Sequence, residues 1–233
     1  MKRILEVCLI ASLSTVVTFA AAQSSPEIPT LRPGIHVEMA GTRTARPVPD
    51  ADQNDAFVLT VTDRGIVYDG TNAVDPSELT REIGNRMAAR QQQLYIKADG
   101  RTPYASVSQV LKAAQASGIA SPILLTAQRG VPAVPGALTS PQGVDVSIGS
   151  DFPSGTVATV VEFLPGRGQQ RLVKVSNDEI AASTLTDTLG QHFRKGDDKV
   201  VLLKASLQLP FAEVVGAIDS CRAAGARVFL SGE

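Results

Sequence analysis

The sequence has no tryptophan, two histidines, two cysteines and only 4% aromatic residues. Each shortage closes off a class of function. Basic and acidic residues nearly cancel, 22 against 23, so no basic excess marks a nucleic-acid surface. His36 and His192 lie far apart, and neither has a Cys or carboxylate at metal-ligand spacing, so both read as ordinary surface or core residues. No G-x-S-x-G and no nucleophile–base–acid set is present, so no catalytic residue and no cofactor is expected. If the leader carrying Cys8 is removed, Cys221 stands alone and no intrachain disulfide can form. Cys221 then reads as a small core residue, with an intermolecular bridge as the alternative.

A long apolar run is also missing. Lys2 and Arg3 precede a stretch, Cys8 to Ala22, of apolar or small residues, and Ala20-Ala21-Ala22 makes an A-x-A site before Gln23. The run is shorter than the ~20 residues of a spanning helix, and Glu6 interrupts it early. Residues 1–22 are therefore expected to be a cleaved signal peptide or an N-terminal membrane anchor. Cys8 follows Leu5-Glu6-Val7, not small residues, which argues against a lipoprotein. Either reading places the rest of the chain in the periplasm, soluble after cleavage or held at the inner membrane. Pro26, Pro29 and Pro33 make residues 23–33 an extended tether.

What is present is an internal repeat. Leu94 to Leu125 reads as strand, turn, amphipathic helix, Gly stop and strand, and Val201 to Leu230 reads the same way. At a constant offset Lys97 falls on Lys204, Pro103 on Pro210, Tyr104 on Phe211, Val107 on Val214 and Gly118 on Gly225. Two tandem copies of one small domain are expected, 34–128 and 143–233, joined by a Pro/Gly linker, 129–142. Each copy is about 90 residues, enough for a small core.

The local pattern fills in each copy. Residues 34–39 alternate as a short strand, and Thr42 to Asp55 reads as a mobile loop. Phe57 to Val61 and Ile66 to Tyr68 form a hairpin around Asp63-Arg64-Gly65. Asp75 caps a helix from Pro76 to about Arg90, with Leu79, Ile83 and Met87 as its buried stripe. Thr102 caps the helix that Pro103 opens. In the second copy the hairpin turns at Pro165 to Gly168, and Ser176 or Asn177 caps the next helix, with Glu179 in its first turn. The order β-hairpin, helix, strand, helix, strand gives an α/β two-layer sandwich, α+β in arrangement. Right-handed crossovers put both helices on one face and leave the other face open to a partner.

Three residues are candidates for partner binding. Asp99 ends a strand before a turn, where turn chemistry is the ordinary role, and the second copy has Ser206 there. Tyr104 and Phe211 are matched aromatics on the first turn of equivalent helices. They either line a groove for a peptide or glycan or pack beneath the helix start. Asp50, Asp52 and Asp55 resemble half of a calcium loop but lack its central Gly and distal Glu, so they read as a solvated acidic loop. Gly166 and Gly168 sit in a hairpin and open no helix, which excludes a phosphate cradle.

Residues Gly34, Val37, Gly65, Ile66, Asp69, Gly70, Leu79, Ile83, Ile96, Ala98, Asp99, Val107, Val110, Leu111, Gly118 and Ile119 together resemble the periplasmic domain of the ExbD/TolR family. The resemblance covers residues 34–128 well and 143–231 more weakly. It implies a non-enzymatic subunit or accessory of proton-motive-force-driven biopolymer transport or envelope maintenance. The implied partner is an ExbB/TolQ-like proton-channel subunit or another envelope protein, with peptidoglycan and a homodimer as further possibilities. The family helix carries an Asp on the proton path. This chain has no Asp before Asp50, which supports an alternative: an exported binding or scaffold protein that keeps the fold without energy coupling.

Overall fold

Alternating apolar residues set the strands here, and apolar residues recurring every three to four positions set the helices. A computed structural model describes residues 34–89, 92–129, 140–163, 171–193 and 199–231. The chain begins with β1 (Gly41–Thr42), β2 (Arg46–Pro47) and a 3-10 turn, Pro49–Asp52. β3 (Phe57–Val61), β4 (Val67–Asp69) and β5 (Asn72–Val74) form an antiparallel meander. Next come α1 (Leu79–Ala89), β6 (Leu94–Ala98), α2 (Tyr104–Ala116) and β7 (Ile123–Gln128). β8 (Gln142–Asp145) then returns antiparallel on β7. The first sheet runs β2-β8-β7-β6-β3-β4-β5, with β1 parallel to β7 off that path.

The second sheet starts with β9 (Ser147–Ile148) and a meander of β10 (Thr159–Phe163), β11 (Leu172–Val175) and β12 (Asp178–Ala181). α3 (Leu185–His192), β13 (Val200–Ala205), α4 (Phe211–Ala223) and β14 (Arg227–Leu230) follow. Its order is β12-β11-β10-β13-β14-β9. Both sheets thus join an antiparallel meander to two further parallel strands through helical crossovers.

Register explains the core. Leu59, Ile96 and Leu124 stand side by side across β3, β6 and β7, and Val161, Leu203 and Leu230 do so across β10, β13 and β14. All six are fully buried, in one continuous cluster with Val107, Val110 and Leu111 of α2 and Val214, Val215 and Ile218 of α4. Each such side chain stabilises the fold by about 1.5–3 kcal/mol. The described residues all fall within one compact unit.

The helix starts join the two halves. The first N–H groups of a helix have no partner within it. Neither α2 nor α4 has a side-chain cap. The Tyr104 and Ala105 amides instead donate to the Leu209 and Leu207 carbonyls at 2.8 and 2.9 Å. Reciprocally, Phe211 and Ala212 donate to Thr102 and Gly100, both at 2.8 Å, around a bridge between Pro103 and Pro210. Thr102 is therefore not the cap expected of it. Its hydroxyl is fully buried without a hydrogen-bond partner, at the place where the other half has Leu209. Thr102→Val keeps the shape and removes the unmet hydroxyl. It should raise stability by about 1 kcal/mol and the melting temperature by roughly 2–4 °C in a thermal melt.

Several other expectations change. Residues 34–38 form no strand. The ladder lies at β1, and Met39 makes a bridge to Asp99. The segment read as a mobile loop is ordered: Val48 and Ala51 pack with Tyr95, Ile123 and Leu125 on the back of the first sheet. That face is covered, not open. Lys97 on the same face donates to the Ile35 carbonyl at 3.0 Å. α1 starts at Leu79 after a turn in which Asp75 accepts from the Ser77 amide at 2.8 Å. Ser176 and Asn177 cap no helix; they turn β11 into β12, Ser176 with φ 56°, and Glu179 lies on that strand. Gln142–Asp145 belongs to the first sheet, so the boundary between the sheets falls after Asp145 and not at Gly143. Gly143 is needed there, since a Cβ would lie 2.5 Å from the Ile123 side chain. The linker core, 130–139, the hairpin tip, 164–170, and the leader and tether, 1–33, lie outside the described residues.

Candidate functional site

β6 ends at Ala98, and the next residue points its carboxylate inward. Asp99 is 2% exposed. It accepts the Glu38 amide at 3.1 Å and the Arg101 amide at 3.0 Å. Arg101 Nε and Nη2 complete a bidentate pair, each at 2.9 Å. The Arg101 hydrogen bonds hold the Asp99 carboxyl far below the usual carboxylate range, overcoming the opposing effect of burial. Such a group stays ionised at neutral pH and is not a proton donor or acceptor there. It fixes the Arg101 turn and the entering chain at Glu38.

The pH dependence follows from that sign. A carboxylate whose folded pKa is depressed stabilises above its unfolded pKa, about 3.9, and that stability is lost as pH falls through the folded value. Asp99→Asn is expected to cost about 2 kcal/mol at pH 7. The gap between the two proteins should shrink steadily in acid. Urea unfolding at pH 7 and pH 3 checks this, and an equal gap at both would contradict the charged lock.

Tyr104 and Phe211 do not form a groove. They are 2% and 1% exposed and belong to the shared core. Burial pushes the Tyr104 hydroxyl up to about 12. The three sequence candidates thus act within the fold: one locks a turn and two fill the core at the helix starts that pair. In this structure none presents a surface to a partner.

A second buried carboxylate carries no sequence motif. Asp219 of α4 is 6% exposed. It accepts the Arg43 amide at 3.0 Å, the Thr44 amide at 2.8 Å and the Thr44 hydroxyl at 2.7 Å. The segment 43–55 is thereby pinned to a helix of the second half. Nearby, Arg46 grips Asp145 through two bonds, at 3.0 and 2.7 Å, and Arg222 donates to the Asp145 carbonyl at 3.0 Å. The available signal was compositional: Asp219 is the lone carboxylate among Val214, Val215, Ala217, Ile218 and Cys221 on the buried face of α4.

The remaining candidates are placed as follows. His36 and His192 are exposed. Among the described residues no group of three His, Cys, Asp or Glu side chains is arranged to hold a metal. Asp50 and Asp52 sit in the 3-10 turn, and Gln53 donates to Asp50 at 3.0 Å. Cys221 is fully buried and burial pushes its thiol up to about 12, so it carries little thiolate. Among the described residues no helix is long and apolar enough to cross a membrane.

The family model described as biopolymer transport protein ExbD/TolR matches residues 12–129. The match starts within the N-terminal apolar stretch and ends just after β7. No curated protein matches the chain.

Proposed function

This chain belongs to the ExbD/TolR family, and from that premise we propose that it is a periplasmic subunit or accessory of a proton-driven envelope transport complex, with an ExbB/TolQ-like channel subunit as its partner. Proteins of this family are non-enzymatic accessories of biopolymer transport, anchored in the inner membrane with a periplasmic domain. The observation that carries the reading is the span of the match. It joins the apolar N-terminal stretch and the first sheet into one family unit. The second half is then a further copy of the domain, supported by the shared strand order and by the reciprocal pairing of Pro103 with Pro210. In this reading the second copy occupies, within one chain, the place that a partner domain would take. The reading is tested by crosslinking in intact cells and purification from membranes. An ExbB/TolQ-like subunit should co-purify, and a deletion phenotype should vanish when the proton-motive force is collapsed. Recovery without any such subunit would count against it.

A second reading rests on one sequence fact: no Asp precedes Asp50, and the one acidic residue of the apolar segment, Glu6, stands at its very start, at the membrane interface and not mid-bilayer where a proton relay would sit. The chain would then be an exported binding or scaffold protein without energy coupling. The mature N-terminus separates the two. An N-terminus at Gln23 in soluble periplasm favours the scaffold, and an intact Met1 in the inner membrane favours the transport subunit.

A further inference from the structure

The two halves treat the outer faces of their sheets differently. In the first half Val58 and Tyr95 stand side by side and pack with Val48 and Ala51. The register-equivalent pair in the second half is Val160 and Leu202, half-buried residues that join neither hydrophobic cluster. Phe152 packs edge-on to Phe229 of β14 at 4.9 Å, at one side of that face.

The next row on the same face sharpens the difference. In the first half it reads Ala73, Tyr68, Thr60 and Lys97, with one charge. In the second half it reads Glu179, Lys174, Glu162 and Lys204, across β12, β11, β10 and β13. Paired residues of neighbouring strands point to the same side, about 4.8 Å apart. The signs therefore alternate across the sheet: minus, plus, minus, plus. Glu179 is exposed and the other three are half-buried. None of the four forms an ion pair or a side-chain hydrogen bond with another described residue.

Charge and symmetry together select the occupant. A two-fold axis in the plane of the contact and parallel to the strands reverses the order of the row. A second copy then lays plus on minus at every position, Glu179 on Lys204 and Lys174 on Glu162, each twice. The other in-plane axis, across the strands, lays like on like and is repulsive. β10 runs next to the favourable axis, so Val160 of one copy meets Val160 of the other. Sheets stacked about 10 Å apart let such side chains interdigitate. We infer that the outer face of the second sheet is a self-complementary interface for a second copy of this chain. Four short strands make a small face, so the dimer is weak, with a Kd on the order of 0.1–1 mM. The face lies opposite the one that carries Val161 and Leu203 into the core with α4, so the dimer leaves the joint between the halves intact.

The test is sedimentation of the full chain at low and high salt. A reversible dimer should appear at roughly millimolar protein and weaken as salt screens the row. Lys204→Glu and Glu179→Lys each set two like-charge pairs in the dimer and should each raise the Kd at least about tenfold. Mixed together, the two variants restore every opposite pair, so the mixture should form a heterodimer near the wild-type affinity. A merely structural role for either residue would not produce that recovery. A wild-type chain that stays monomeric at millimolar protein, a dimer indifferent to salt, or a mixture no tighter than its components would each overturn the interface. If a charge reversal does not fold, Val160→Asp takes its place, setting two carboxylates against each other at the axis. It should abolish the dimer, and an unchanged Kd would overturn the interface.

Discussion

Phe211→Ala is expected to lower stability by about 3–5 kcal/mol and to do so for both sheets at once. The residue starts α4 and is 1% exposed. Its side chain belongs to a cluster that contains Leu59 and Ile96 of the first sheet as well as Val161 and Leu203 of the second. Its amide donates across to the Thr102 carbonyl, and the Tyr104 amide answers on Leu209. A cavity at this position therefore weakens the one contact where each half caps the other's helix. The melting temperature should fall by roughly 6–20 °C, in a single transition whether followed in the first sheet or the second. Tyr104→Ala should behave the same way from the other side. Two transitions, with only the second sheet shifted by Phe211→Ala, would show instead that the halves are independent domains.

That coupling marks the limit of local sequence. The periodic elements were legible: Leu94–Ala98, Arg227–Leu230 and the two helices opened by Pro103 and Pro210 lie where alternation, Pro and Gly place them. β5 and β12 were not, because these short edge strands are largely exposed and show no alternation. The segment 43–55 has Pro47, Pro49 and three Asp, and composition alone reads it as mobile. Its order comes from Val48 and Ala51 meeting Tyr95, Ile123 and Leu125, residues distant in sequence. The repeat pairs Tyr104 with Phe211, and both stand at helix starts in the shared core. Their burial depends on how the halves face each other, which no single window contains.

Asp219→Ala should have the second large effect, with a different signature. The carboxylate is the acceptor for two backbone amides and one hydroxyl of Arg43 and Thr44. Removing it leaves those amides without their partner in a part-buried place, toward the lower end of about 1–3 kcal/mol for each unmet group. Two responses are open to the protein. If segment 43–55 stays seated, global stability should fall by about 3 kcal/mol. If it lifts, the loss is smaller, and hydrogen exchange at Thr44, Val48 and Ala51 should rise well above that in the β6 and β13 cores. In either case Asp219→Asn, which keeps one acceptor oxygen, should fall between wild type and alanine. Unchanged stability together with unchanged exchange would show that the contact holds nothing. The chain entering from the N-terminal side is tied to the first sheet before this segment begins, by Lys97 on Ile35, Asp99 on Glu38 and β1 on β7, and Asp219 then ties it to α4 of the second half. Loss of the Asp219 contact should therefore loosen segment 43–55 from α4 while residues 35–42 stay held on the first sheet.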